Sequence, residues 1–261
     1  SQKSFTILEG RANLGGTWDL FKYPGIRSDS DMHTMGFKFK PWRSPKTIAD
    51  APSILSYLNE TVDEFDLRKE IQFNKKVIAA TWSSVDALWN VKIEDQTNQT
   101  IEEATCNFLY LCGGYYNYDE GYTPEFKNVE AFEGQVIHPQ KWPEGLDYSD
   151  KKVIVIGSGA TAVTIVPSMA EKVKHITMLQ RSPTYYFAAP DEDKIGNFIK
   201  KFTSDRLGYF LVRWKNILMQ RLMLNRLRKN PEKTKQMLID HVREHLGEDY
   251  DVDKHFTPRY M

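Results

Sequence analysis

Cysteine is nearly absent from this chain: Cys106 and Cys112 are the only two among 261 residues. Both fall in one strand-like run at even spacing, on the same face. They suggest neither a disulfide framework nor a metal site, which is the pattern of a chain kept in a reducing cytoplasm. Net charge is lacking too. The 35 basic and 35 acidic side chains cancel to a formal zero, so global electrostatics single out no partner, nucleic acid included. Long hydrophobic runs are missing: no segment approaches the length of a transmembrane helix, and no secretory leader precedes the first strand-like run. The sequons at Asn59–Thr61 and Asn98–Thr100 are then incidental. Glycine is sparse at 15 residues, so its clusters carry information. A hydrophobic content of 41% still supports a packed core, in one large domain or two of ordinary size.

One cluster lies in "GGTWDLFKYPGIRSD", residues 15–29. Paired glycines, a Tyr-Pro-Gly turn and a closing aspartate make a poor helix and a poor strand. Just before it, "SFTILEG" (4–10) reads as a buried strand ending in the acid Glu9. A dinucleotide-binding unit uses such an acid to grip a ribose hydroxyl, about 20 residues after a glycine-rich turn. No such turn precedes it here. Glu9 is therefore either an ordinary surface glutamate or the ribose acid of a unit that the chain enters partway through.

Residues 151–183, "KKVIVIGSGATAVTIVPSMAEKVKHITMLQRSP", hold a whole nucleotide-binding pattern. Val153–Ile156 predict a strand suited to the centre of a parallel sheet. Gly157, Gly159 and Ala162 occupy the three small-residue positions of G-x-G-x-x-G/A. The first permits a tight turn, the second lets backbone approach a pyrophosphate, and the third lets the helix pack on the strand. Ser158 and Thr161 lie where a helix N-terminus aims its free N–H groups at phosphate. The next strand, "HITML", runs into Arg181 and Ser182, where NAD-binding units place an acid. Guanidinium pairs bidentately with phosphate, so these two residues favour NADP over NAD.

Between the two units, "ATCNFLYLCGG" (104–114) predicts a strand ending in a glycine pair that includes Gly113. It is followed by "FEGQVIHPQKWPE" (132–144). That stretch matches F-x-G-x-x-x-H-x-x-x-W-P through Phe132, Gly134, His138, Trp142 and Pro143. The opening loop matches G-x-W-x-x-x-x-Y-P-G-x-x-x-D through Gly16, Trp18, Tyr23, Pro24, Gly25 and Asp29. These are the two fingerprints of Baeyer–Villiger monooxygenases. The chain resembles that flavin-dependent family along essentially its whole length, and within it the ethionamide-activating type.

The resemblance implies an α/β fold of two Rossmann-like dinucleotide-binding domains. Residues 1–145 would be an incomplete FAD domain. Residues 146–261 would be an NADP domain with a helical insertion from about residue 192. It also implies an internal fragment, because family members carry a first strand and glycine turn upstream and return to the FAD domain downstream. In the family NADPH reduces the flavin, whose C4a-peroxide then oxidises a ketone or a sulfur. FAD and NADPH are thus the implied cofactors, with molecular oxygen and a small ketone or sulfur compound as partners. Glu9 becomes the ribose acid, and Gly16, Thr17 and Trp18 line the flavin side of the cleft. Gly113 follows the strand beside the flavin nucleotide, and Val77 packs near the adenine, though any apolar strand supplies a valine. Asp29 orients a catalytic arginine from beyond residue 261. His138 lies at the domain linker and is read as conformational rather than as a general acid–base. Trp142 suits core packing equally well.

From Lys194 to Lys235 the chain has twelve Lys and Arg residues against two acids, Asp205 and Glu232. Leu207, Phe210, Leu211, Trp214, Ile217 and Leu218 recur there at helical spacing. The favoured reading packs this apolar face on its own domain as a wall of the substrate cleft. A peripheral membrane role stays open. "DYDVDKHF" (249–256) begins like a calcium loop but lacks the glycine at the sixth position, so no metal is expected. Two other functions remain beside the monooxygenase: an N-hydroxylating or sulfur-oxidising flavin enzyme, and a non-catalytic nucleotide-binding or membrane-surface module. Lacking the glycine turn for the FAD pyrophosphate, the chain purified by itself should carry no stoichiometric flavin. Its visible spectrum tests this, and a one-to-one flavin band would overturn it.

Overall fold

A computed structural model describes residues 3–188 and 190–259. In chain order its elements are β1 (Ile7–Leu8), α1 (Thr17–Leu20), α2 (Met32–Met35), α3 (Ala51–Glu64), β2 (Ile71–Gln72), β3 (Lys75–Ser83), β4 (Leu88–Asp95), β5 (Thr100–Cys106), β6 (Lys152–Ile156), α4 (Ala160–Met169), β7 (His175–Leu179), α5 (Lys194–Lys201), α6 (Asp205–Lys229), α7 (Pro231–Leu246) and α8 (Val252–Phe256). They form two units. One comprises Ser1–Lys22 and Ala51–Glu144, the other Tyr23–Asp50 and Gly145–Met261. Residues 23–50, grouped by sequence with the first part of the chain, therefore cluster with the second.

In the first unit β1 and β2 pair in parallel, Ile7 opposite Ile71, while β3, β4 and β5 form an antiparallel meander. The helix α3 accommodates Pro52 in its first turn, where a missing N–H costs nothing. Its buried face is Ile54, Tyr57, Thr61 and Val62, the i, i+3, i+7, i+8 pattern of an amphipathic helix. Fully burying a side chain such as Ile54 stabilises by about 2–3 kcal/mol. The chain leaves this helix through Asp66, held at φ 51°. Along β4, Val91, Ile93 and Asp95 alternate inward.

Two strand expectations in this unit are corrected. The run 4–10 forms only a two-residue strand, with Phe5 and Ile7 exposed, because β1 has β2 as its one partner among the described residues. The run 104–114 leaves the sheet at Cys106, and Phe108, Tyr110 and Leu111 are each 78% exposed. An uninterrupted apolar strand needs sheet neighbours and covered faces, and no described strand runs beside residues 107–112. Cys106 and Cys112 therefore do not share a strand face. Both are free thiols, one half-buried and one exposed.

In the second unit β6 and β7 pair in parallel from Lys152 opposite His175 to Ile156 opposite Leu179, with α4 packed against both. The strand Val153–Ile156 is covered on one side only: Ile154 is 65% and Ile156 60% exposed. Alongside, α2 packs on α6. Asp31 caps α2 by accepting from the Thr34 amide at 2.9 Å, and it also accepts from Asn216 and Gln220 of α6. Arg213 of α6 donates to the carbonyls of His33 and Thr34 at 2.8 and 3.0 Å, satisfying the carbonyl end of α2. Val212 is fully buried and Gly208 is buried beside it. His33 is buried as well, and burial first, then the nearby Lys200, pushes its imidazole below the ordinary value. The apolar stripe assigned to the domain interior does the reverse. Leu207, Phe210, Leu211, Trp214 and Leu218 are exposed, because the opposite face of α6 holds α2.

Asp95 closes the meander. Its carboxylate accepts from Lys75 Nζ at 2.9 Å, from the Thr97 amide at 2.8 Å and from the Asn98 side chain at 3.1 Å. The Lys75 hydrogen bond, followed by the Thr97 amide, lowers its pKa to about 2. A carboxylate depressed in the folded state stabilises fully above its unfolded value of about 3.9. That stabilisation is lost as pH falls through about 2. Between those values the thermal midpoint of Asp95→Asn should fall less steeply with acid than that of the parent chain. Parallel curves would remove Asp95 from the acid transition.

Candidate functional site

The glycine pair of the opening loop is conformational as well as compositional. Gly15 and Gly16 sit at φ 115° and 50°, where other residues are strained. A Cβ on Gly15 would strike Leu55 of α3, and one on Gly16 would lie 3.1 Å from the Tyr118 hydroxyl. That hydroxyl is also 3.1 Å from Thr17 Oγ1. Thr17 and Trp18 begin α1 and are half-buried. Glu9, just past β1, accepts from the Arg11 amide at 2.9 Å. Arg11 in turn pairs with Asp19 at 2.6 Å. The first unit thus brings Glu9 and residues 16–18 onto one linked loop. A cavity of about 250 Å³ beside it is lined by Asn13, Asp19, Leu55, Arg68 and neighbours, below the usual range of small-molecule sites. Val77 is exposed beside a bulge in β3, and Gly113 lies in open space outside any strand.

In the second fingerprint, Phe132 covers Gly134 so closely that a Cβ there would lie 2.5 Å from Phe132 Cζ. His138 caps the short turn Pro139–Lys141, its Nδ1 accepting from the Gln140 amide at 3.2 Å. Its ring occupies the space a Gly121 side chain would need. Gln140 is buried and donates to the Asn117 carbonyl at 2.6 Å. The Nδ1 contact organises the loop around the His138 ring. Trp142 is half-buried and Pro143 exposed.

The second unit holds the strand, glycine turn and helix of the 151–183 pattern in sequence. Gly157 leaves β6 at φ 127°, its amide donating to the Leu179 carbonyl at 2.8 Å. Neither Gly157 nor Gly159 has any atom within 4 Å of a notional Cβ, so the turn is open to close approach. Gly159 caps the ten-residue α4, and Ala162 is buried. Open glycine backbone before a helix N-terminus is the arrangement that receives a diphosphate, and these residues fit one. Ser158 and Thr161 flank it, half-buried. Arg181 and Ser182 are exposed immediately beyond β7.

Tyr23 and Gly25 join these residues, a placement not predicted from the sequence. Gly25, at φ 75°, lies so close to Ser168 that a Cβ would collide with its side chain and sit 3.2 Å from the Thr164 carbonyl. The Tyr-Pro-Gly turn therefore rides along α4. Tyr23 is buried and shares a hydrogen bond with the Thr161 side chain. Burial pushes its phenol above the ordinary value; the Thr161 bond opposes this, and the Asp29 charge adds to it. Asp29 itself is exposed. It belongs to this unit, whereas Gly16 and Trp18 of the same fingerprint belong to the other. The signal for Tyr23 was its fixed place in the fingerprint; its partner is not a sequence neighbour. On the expectation from the sequence that this turn takes NADPH, Tyr23→Phe should weaken that binding by roughly fivefold, one neutral hydrogen bond of about 1 kcal/mol. Thr161→Val should cost at least as much, since Thr161 also stands in the turn, and the double substitution should lose no more than Thr161→Val alone; additive losses in a titration calorimeter would separate the two residues.

Residues 40–244 match the model of the flavin-binding monooxygenase-like family. The chain is 50% identical over 259 residues to the FAD-containing monooxygenase EthA of Mycobacterium tuberculosis, covering 99% of this chain and 53% of that protein. It thus spans about half the length of the curated relatives it matches. Among solved structures, an oxidised steroid monooxygenase bound to NADP superposes on 78% of this chain and 38% of its own, with a TM-score of 0.63 and 27% identity. OTEMO in complex with FAD and NADP covers 68% of this chain and 34% of its own, with a TM-score of 0.56 and 33% identity. The mixed helix–sheet architecture is accordingly that of flavin monooxygenases. A family match over well more than half its length makes this chain a member of the flavin-binding monooxygenase-like family.

Proposed function

We propose that the protein built on this chain is an FAD- and NADPH-dependent Baeyer–Villiger monooxygenase, converting ketones to esters or lactones and also able to oxidise sulfur. One observation carries the reading: the two fingerprints at 16–29 and 132–143 precede an intact dinucleotide turn at 157–162 in one chain. EthA, named as FAD-containing, and OTEMO, solved with FAD and NADP, support the cofactor pair. Bound flavin supplies the redox and oxygen-activating chemistry, while the chain's own side chains bind, orient and exclude water.

In this reading Glu9, Gly16, Thr17, Trp18, Val77 and Gly113 belong to the FAD side. Gly157, Ser158, Gly159, Thr161 and Ala162 hold the NADP diphosphate, and Arg181 with Ser182 takes the 2′-phosphate. Asp29 steadies an arginine supplied from outside this chain, fixing the guanidinium geometry. Phe132, Gly134, His138, Trp142 and Pro143 shape the linker between the cofactor domains. The protein works in the cytoplasm, in peripheral contact with a membrane, as the basic stretch 194–235 suggests. No described helix is long and apolar enough to cross one.

The full-length protein carrying this chain, supplied with FAD, NADPH, a cyclic ketone and isotopically labelled oxygen, should give a lactone containing one labelled atom by mass spectrometry. An untouched ketone, with a primary amine hydroxylated when supplied in its place, would assign the N-hydroxylating alternative instead. Arg181→Ala should raise KM for NADPH by at least tenfold, on the order of a charge-assisted pair of 1.5–3 kcal/mol, and leave KM for NADH nearly unchanged. Equal losses for both cofactors would remove Arg181 from the phosphate role.

A further inference from the structure

We propose that the outward face of α6 is a docking surface for an anionic lipid bilayer, lying along the headgroup region with its apolar stripe inserted. At 100° per residue, Leu207, Phe210, Leu211, Trp214, Leu218 and Leu222 share one side of the helix. All six are exposed, from 39% at Leu211 to 67% at Leu222. A stripe of this kind ordinarily packs on its own domain. Here that role is taken by the other side, where Gly208 and Val212 are buried and Arg213, Asn216 and Gln220 hold α2. The six side chains form a continuous apolar stripe on the outward side, while Met219, Met223 and Leu224 are exposed elsewhere around the second half of the helix.

Charge selects the occupant. The stretch 194–235 carries twelve basic residues and two acidic ones in a chain of zero net charge. Arg206, Arg221, Arg226, Arg228 and Lys229 have no acidic partner among the described residues. Unpaired guanidinium and ammonium groups beside an exposed Trp, Phe and Leu stripe are the features of a helix lying in a membrane interface. Each basic group gains from anionic headgroups, and Trp sits at the headgroup level. The same charge density keeps the helix from spanning the bilayer. The proposal rests on peripheral membrane contact as part of the function and names the surface and the lipid chemistry that make it.

Vesicle co-sedimentation tests it. The chain should bind vesicles of phosphatidylcholine containing phosphatidylglycerol, bind phosphatidylcholine alone much more weakly, and release as salt rises. Leu218→Glu with Leu222→Glu should lower binding to the anionic vesicles by at least about tenfold, with helix content by circular dichroism unchanged. Where that variant loses its fold, brominated lipid replaces it: the quenched tryptophan signal of the parent chain should vanish in Trp214→Phe. Failure of the parent chain to bind either vesicle would sink peripheral contact itself. Binding that survives the Leu218/Leu222 variant, or quenching that survives Trp214→Phe, would leave peripheral contact standing and remove α6 as its surface. A vesicle-independent dimer broken by the same substitutions would give the face to a second copy of the chain and overturn the proposal.

Discussion

The second unit depends on an atom that is not there, the Cβ of residue 25. With hydrogen in its place, the Tyr-Pro-Gly turn lies directly against the Thr164 carbonyl and the Ser168 side chain of α4. That contact fixes Tyr23 beside Thr161 at the start of the same helix. It also sets the path by which the chain reaches Asp29 and the cap of α2 at Asp31. From Asp31 the order passes to α6, through Asn216, Gln220 and the Arg213 bonds to the α2 carbonyls. A single close approach of backbone to helix thus links a phosphate-type turn, an exposed acid and the longest helix. A positive φ at Gly25 makes the position doubly restrictive, since an L side chain would be strained even where space allowed it.

Sequence patterns read well where their causes are local. The conformation of residues 157–162 was legible, because Gly157, Gly159 and Ala162 answer to constraints within ten residues of chain: a turn, an open approach and a helix packed on its strand. The α/β class followed from the same run. Patterns whose cause lies in a distant partner read less well. Residues 104–114 have the composition of a buried strand, yet pairing ends at Cys106 because no described strand runs alongside. Tyr23 looked like a turn residue, and its role beside Thr161 depends on a contact nearly 140 positions away in sequence. The division of the first fingerprint between Lys22 and Tyr23 is invisible in a motif, which records spacing and not which body each residue joins.

The exposed apolar surface has a common physical origin. Ile154 and Ile156 on the open side of β6, and Phe108 and Leu111 beyond β5, have the hydrophobicity of interior residues and the exposure of surface ones. Isolated exposed apolar residues are unremarkable, but contiguous ones mark surfaces that other groups cover. The relatives are about twice as long as the chain, and parallel strands of this composition are stable when both faces are covered.

The α6 stripe differs from them in kind, and the difference is electrostatic. A face destined for a protein core is depleted of charge, because burying an unpaired guanidinium costs far more than a leucine beside it returns. Around Leu218 and Leu222 the opposite holds: Arg221, Arg226 and Arg228 stand on the same helix without acidic partners among the described residues. Covering that face with ordinary protein would require acids to match each of them, or would leave charges desolvated. An interface that is apolar at one depth and anionic at the next satisfies both kinds of side chain at once. Long arginines reach from the helix to the charged layer while the leucines and Trp214 stay in the apolar one. Geometry alone would allow either partner; the placement of unpaired positive charge beside the stripe is what separates them.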